Sequence, residues 1–118
     1  MTSRLSAEEK VRLCARAALE KKAEGLVVLD LQGISTVADF FLVAGAQSTT
    51  QLKSIVEAIE AALESQGVRI RHTEGVPESG WLLLDYGDVV VHIFMEETRT
   101  FYALERLWGD APVLSVEG

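Results

Sequence analysis

The 118-residue chain, 48% hydrophobic and 25% charged, has the balance of one folded domain, long enough to bury about two-thirds of its unfolded surface. No apolar run approaches the ~20 residues of a membrane span, and a single cysteine, Cys14, excludes an internal disulfide. The net charge is −7, and six basic and three acidic residues in Met1–Lys22 leave five basic and fifteen acidic in the remainder, so a +3 segment precedes a −10 body. Such a body disfavours DNA or RNA backbones and suits a basic protein surface.

The N-terminus, Met1 to Ser6, lacks the apolar core of a secretion signal, and a cytoplasmic protein is expected. Ser6 to Glu9 has capping-box spacing, and Val11, Cys14, Ala15, Ala18 and Leu19 recur at helical steps, predicting a helix from about Ala7 to Ala23 that Gly25 stops. Cys14 reads as a small helix residue. Leu26 to Leu31 is a short apolar run expected as a buried strand, with a turn at Gln32-Gly33. Asp39 to Gly45 is a second strand. It leads into Ser48-Thr49-Thr50-Gln51, again with capping-box spacing, and a helix carrying Leu52, Ile55, Val56, Ile59, Ala62 and Leu63 as far as Gln66-Gly67.

Val68 to Glu74 alternates as an edge strand would, and Gly75 to Gly80 is a loop by composition. Trp81 to Tyr86 and Asp88 to Met95 form a hairpin about Gly87. Glu96 and Glu97 then open a last helix with Phe101, Leu104 and Trp108 on its apolar stripe, ended by Gly109 and Pro112. The expected fold is a single α/β domain over 1–118, with a core of about 7–108, a short tail from 109 to 118, and a mixed sheet of about five strands flanked by helices.

Catalytic constellations are sparse. Two-metal phosphoryl or nucleotidyl transfer commonly uses carboxylates at i and i+2 of a strand, and no Asp/Glu pair here has that spacing. Asp85 and Asp88 bracket the hairpin turn, where turn capping explains them equally well. The Gly45 to Ser48 turn into a helix is a weak candidate for anion binding. His72 and His92 sit in no triad or metal motif, so no catalytic residue, cofactor or metal ligand is assigned.

A two-residue hairpin turn puts Trp81, Leu83, Asp85, Asp88, Val90, His92 and Phe94 on one face and the apolar Leu82, Leu84, Val89, Val91 and Ile93 on the other. The first face has the blend of an interface. Alternatively, the last helix covers it and Trp81 and Phe94 are core.

Four segments, Leu29-Asp30-Leu31-Gln32-Gly33, Asp39-Phe40-Phe41-Leu42-Val43, the string from Trp81 to His92, and Arg99 to Trp108, resemble the ribosomal silencing factor family, also called Iojap. The resemblance spans roughly Ala7 to Trp108, with Phe41 and Tyr86 where the family pattern often has a small or varied residue. It implies a nucleotidyltransferase-like fold without catalytic residues and a non-enzymatic translation repressor. Such a repressor binds the large ribosomal subunit through its ribosomal protein number fourteen, blocks joining of the small subunit when nutrients are limiting, and is a homodimer when free. By the same resemblance, Trp81, Asp85, Asp88, His92, Phe94, Arg99 and Tyr102 are the partner-binding residues. A nucleotide-binding or nucleotidyltransferase-like protein and a large-subunit assembly factor are the alternatives.

Overall fold

The computed structural model describes residues 5–34, 36, 38–95 and 112–114. The first helix, α1 (Ala7–Glu20), begins with the predicted capping box: the Ser6 amide donates to Glu9 Oε1 at 2.9 Å, and the Glu9 amide to Ser6 Oγ at 3.1 Å. It ends earlier than the sequence pattern suggests. Lys22, three residues before Gly25, takes the left-handed conformation (φ 63°) that ends the helix, and the Ala23 amide closes back on the Ala18 carbonyl at 3.1 Å. Gly25 instead lies inside strand β1 (Glu24–Asp30), next to a register shift between Glu24 and Val27, where a bulge accommodates its positive φ.

Strand β2 (Phe40–Ala46) is buried on both faces, and α2 (Thr49–Glu64) follows it after Ser48, whose Oγ accepts from the Gln51 amide. Only half of the predicted box forms there. The Gln51 carboxamide accepts from the Gln47 amide and donates to the Lys21 and Lys22 carbonyls, tying the start of α2 to the end of α1. Gly67, with φ 77°, and the Val68 amide close the other end of α2 on the Glu64 and Leu63 carbonyls.

Strand β3 is His72–Val76, shifted towards the C-terminus from its expected range. Residues 68–71 are spent on leaving the helix, and pairing along β4 begins only where the Arg71 amide reaches the Asp85 carbonyl. Gly75 and Val76, which read as loop, continue the ladder to a single 3₁₀ turn at Pro77–Ser79. The hairpin is β4 (Trp81–Asp85) and β5 (Val89–Met95). The tail supplies a sixth strand, β6 (Val113–Leu114), antiparallel to β1.

The sheet order is β3-β4-β5-β2-β1-β6, and the single parallel pair among these neighbours is β2 with β5. The mixed sheet of a single α/β domain is thus as expected, with one strand more. Both described helices lie on one face, where Val11, Cys14, Ala18, Leu52, Ile55, Ile59 and Leu63 pack on Phe40, Leu42, Leu84, Val91 and Ile93. Cys14 is fully buried there, and burial pushes its thiol up to about 12, so it stays a neutral core group. The last predicted helix, Glu96 to Trp108, lies outside the described residues.

Candidate functional site

The hairpin closes through a two-residue loop, Gly87-Asp88, with the Tyr86 amide donating to the Val89 carbonyl at 2.9 Å and Gly87 at φ 92°. Its register pairs Trp81 with Phe94, Leu83 with His92 and Asp85 with Val90, so these six side chains share the face away from α1 and α2, as the alternation predicts. The neighbouring strands extend each row. Val76 stands beside Trp81, Glu74 beside Leu83 and His72 beside Asp85, while Gly45, Val43 and Phe41 of β2 lie beyond Phe94, His92 and Val90.

Across these rows burial rises steeply. All of β3 is exposed, with Val76 at 54%; Trp81, Leu83 and Asp85 are half-buried; His92 and Phe94 fall to 7% and 1%. Phe94 is therefore core, whereas Trp81 stands at the boundary of core and solvent. Its indole lies against Gly75, where an added Cβ would come within 2.5 Å of the Trp81 carbonyl and 2.8 Å of the ring. His72, Glu74 and Val76 belong to this face; the sequence pattern puts His72 and Glu74 in an edge strand without assigning them to the face, and gives Val76 to a loop because Gly75 and Pro77 set the composition there.

His92 stacks parallel to Phe94 at 6.1 Å and tilts 45° against Phe41 at 4.9 Å. Among the described residues neither ring nitrogen has a hydrogen-bond partner. Burial pulls its pKa down to about 4, so the imidazole is neutral near pH 7. Trp81 and Phe94 add a third aromatic contact at 6.4 Å.

The two aspartates part company. Asp85 Oδ1 accepts from the Gly87 amide at 2.7 Å, a turn cap that leaves the carboxylate on the half-buried edge of the face. Asp88 is corrected: both of its carboxylate oxygens lie 3.1 Å from Lys10 Nζ on α1, which draws the side chain to the helix-covered side of the sheet and neutralises it internally. Arg99 and Tyr102 lie outside the described residues.

Other candidate chemistry is weak. At the Gly45 to Ser48 turn, the Gln47 amide is occupied by Gln51 and the Gln47 carboxamide by Glu24, so an acidic group already stands where a phosphate would approach. Among the described residues no group of three His, Cys, Asp or Glu side chains could hold a metal ion, and no helix is long and apolar enough to cross a membrane.

A family model described as ribosomal silencing factor during starvation matches residues 4–118. The ribosomal silencing factor of Halalkalibacterium halodurans is 42% identical over 114 residues, covering 97% of each chain, and that of Bacillus subtilis is 40% identical over 107 residues, covering 91% of each. The chloroplastic Iojap protein of Zea mays is 38% identical over 97 residues, which is 82% of this chain and 42% of that one. Among solved structures, a Chromobacterium violaceum protein superposes with a TM-score of 0.85 at 30% identity, covering 89% of this chain and 88% of the other.

Proposed function

This chain belongs to the ribosomal silencing factor family, and on that premise we propose that it represses translation by binding the large ribosomal subunit through ribosomal protein number fourteen and sterically excluding the small subunit. The observation that carries the docking reading is the half-buried row Trp81, Leu83 and Asp85 on β4, flanked by the exposed His72, Glu74 and Val76 of β3. An aromatic and an aliphatic side chain rimmed by carboxylates is the make-up of an interface centre and its polar border. The −10 body steers this face towards a basic protein and away from exposed RNA.

In this reading Trp81 is the anchor and Asp85 the orienting charge. Phe94 and His92 act from below, holding the Trp81 side of the face rigid, and Asp88 fixes the turn through Lys10. Arg99 and Tyr102 are assigned to partner binding by the family resemblance alone. The protein works without a catalytic step, in the cytoplasm, and as a homodimer when free.

Binding to purified large subunits at several salt concentrations, paired with a subunit-joining assay, tests this. Trp81→Ala should weaken binding by about 2 kcal/mol, mainly through faster dissociation, whereas Asp85→Lys should slow association and reduce its salt dependence. If both folded variants bind and block joining like the wild type, the face is wrong. If the wild type blocks no joining, so is the function. A nucleotidyltransferase-like activity predicts instead saturable ATP or CTP binding with magnesium, measurable by calorimetry.

A further inference from the structure

Strand β3 ends the sheet on one side, and among the described residues it is paired with β4 alone. Its outer N–H and C=O groups therefore form an open ladder. All five of its residues are exposed. Edge strands are commonly guarded by lysine, by proline or by a bulge, yet His72–Val76 contains neither residue and keeps one register with β4 along its whole length. The opposite edge, β6, is two residues long and offers far less to pair with.

Charge and shape about Thr73 suit a second copy of the same edge. Two copies related by a two-fold axis normal to the sheet pair antiparallel, and residues equally far from the centre stand opposite each other on one face. With Thr73 at the centre, His72 of each copy faces Glu74 of the other, and Ile70 faces Val76. Within one copy His72 Nε2 and Glu74 Oε2 already lie 3.6 Å apart, with 58% and 54% of their side chains exposed. The pairing thus closes a square of two imidazoles and two carboxylates in which every neighbour is of the other kind, and it gives the 54% exposed Val76 an apolar neighbour. Other centres lose this match. Glu74 at the centre sets two carboxylates directly opposite each other, His72 sets Glu74 against Ile70, and Gly75 sets Glu74 against Val76.

We propose that two copies of this chain associate through β3, antiparallel and centred on Thr73, so that one sheet runs through the pair. This interface rests on the homodimer reading and deepens it by naming the surface where the copies meet. Because the axis is normal to the sheet, the Trp81 faces of both copies lie on the same side of it.

Sedimentation equilibrium of the full chain over a wide concentration range measures the association, and variants at the edge locate it, with circular dichroism as the folding control. The wild type should show a concentration-dependent monomer–dimer equilibrium. His72→Glu and Glu74→Lys should each weaken it about tenfold, since each sets like groups opposite each other at two symmetric points. An equimolar mixture of the two variants should restore dimers, because carboxylates then face a lysine and an imidazole, a rescue that no loss of folding could produce. Thr73→Cys should give an intermolecular disulfide on mild oxidation, the two central β-carbons standing about 5 Å apart, whereas Glu78→Cys, beyond the strand, should not. A monomer at every concentration overturns the homodimer reading and this interface together. A wild-type dimer that both folded variants retain, or one that Glu78→Cys cross-links and Thr73→Cys does not, overturns the interface alone. Loss of large-subunit binding by Glu74→Lys with an unchanged dimer gives the edge to a strand of another protein, and overturns it as well.

Discussion

On one side of the sheet Leu82, Leu84, Val91 and Ile93 meet two capped helices in an aliphatic core; on the other, Trp81, Leu83, His92 and Phe94 form an aromatic field that passes from buried to exposed within three strands. The same hairpin supplies both. Alternation along a strand lets one segment build a rigid core with one set of alternate residues and a mixed face, the proposed docking face, with the other. The first task demands uniform apolar character and complete burial. The second carries a half-exposed tryptophan, a carboxylate and, beneath them, a buried histidine, a mixture that the proposed docking role uses.

Two leucines one position apart give the sharpest test of that contrast. Leu84 is fully buried beneath the helices, and Leu84→Ala should cost about 3–4 kcal/mol by chemical denaturation, the transfer loss plus an uncollapsed cavity. Leu83, half-buried on the other face, should cost about 1 kcal/mol in the same substitution, because solvent fills the space. Equal losses would break the comparison, since the second face would then be ordinary core.

Gly75 sits where the recognition face is shaped. Gly75→Ala places a Cβ 2.5 Å from the Trp81 carbonyl at a residue whose φ is 82°, so backbone strain of about 2 kcal/mol should lower the melting temperature and displace the indole. An unshifted Trp81 side-chain signal in the folded variant would show that glycine is not what seats it. A smaller effect is expected at the Lys10–Asp88 pair, which ties α1 to the hairpin turn with side-chain exposures of 16% and 32%. Lys10→Met should cost about 1 kcal/mol, discounted for solvent screening, and part of that loss should also appear on raising salt in the wild type. No salt response would mark the pair as unimportant to the fold.

Much of this plan was legible in the chain. The Ser6 box, the α2 periodicity and, apart from Asp88, the two hairpin faces follow from local rules of capping and alternation and agree with the structure. What could not be read depends on where backbone and side chains go in three dimensions. Gly25 looked like a helix stop, yet Lys22 adopted the left-handed turn first. Gly75 looked like loop, yet a ladder with β4 runs through it. Asp88 has the right parity for the docking face, but a turn side chain is not bound by strand alternation, and Lys10 lies 78 positions away in sequence.

His92 gives the smallest stability effect near neutral pH and the most specific one. Its ring is buried between Phe41 and Phe94 with both nitrogens unpartnered, and burial depresses its pKa to about 4 from an ordinary value near 6.5. Between those two values the unfolded chain binds a proton at this position and the folded chain does not, so stability rises with pH through that window. The contribution is fully present above about pH 6.5, falls as the pH drops towards 4, and changes no further below that, where both states are protonated. His92→Leu keeps most of the volume and removes two unsatisfied polar atoms, so it should stabilise the protein by about 1 kcal/mol at pH 7 and flatten the decline between pH 6.5 and 4. Denaturation midpoints of wild type and variant across pH 3.5 to 8 measure both. If the two curves stay parallel through that range, the imidazole is not the buried neutral group that separates this face from the aliphatic one.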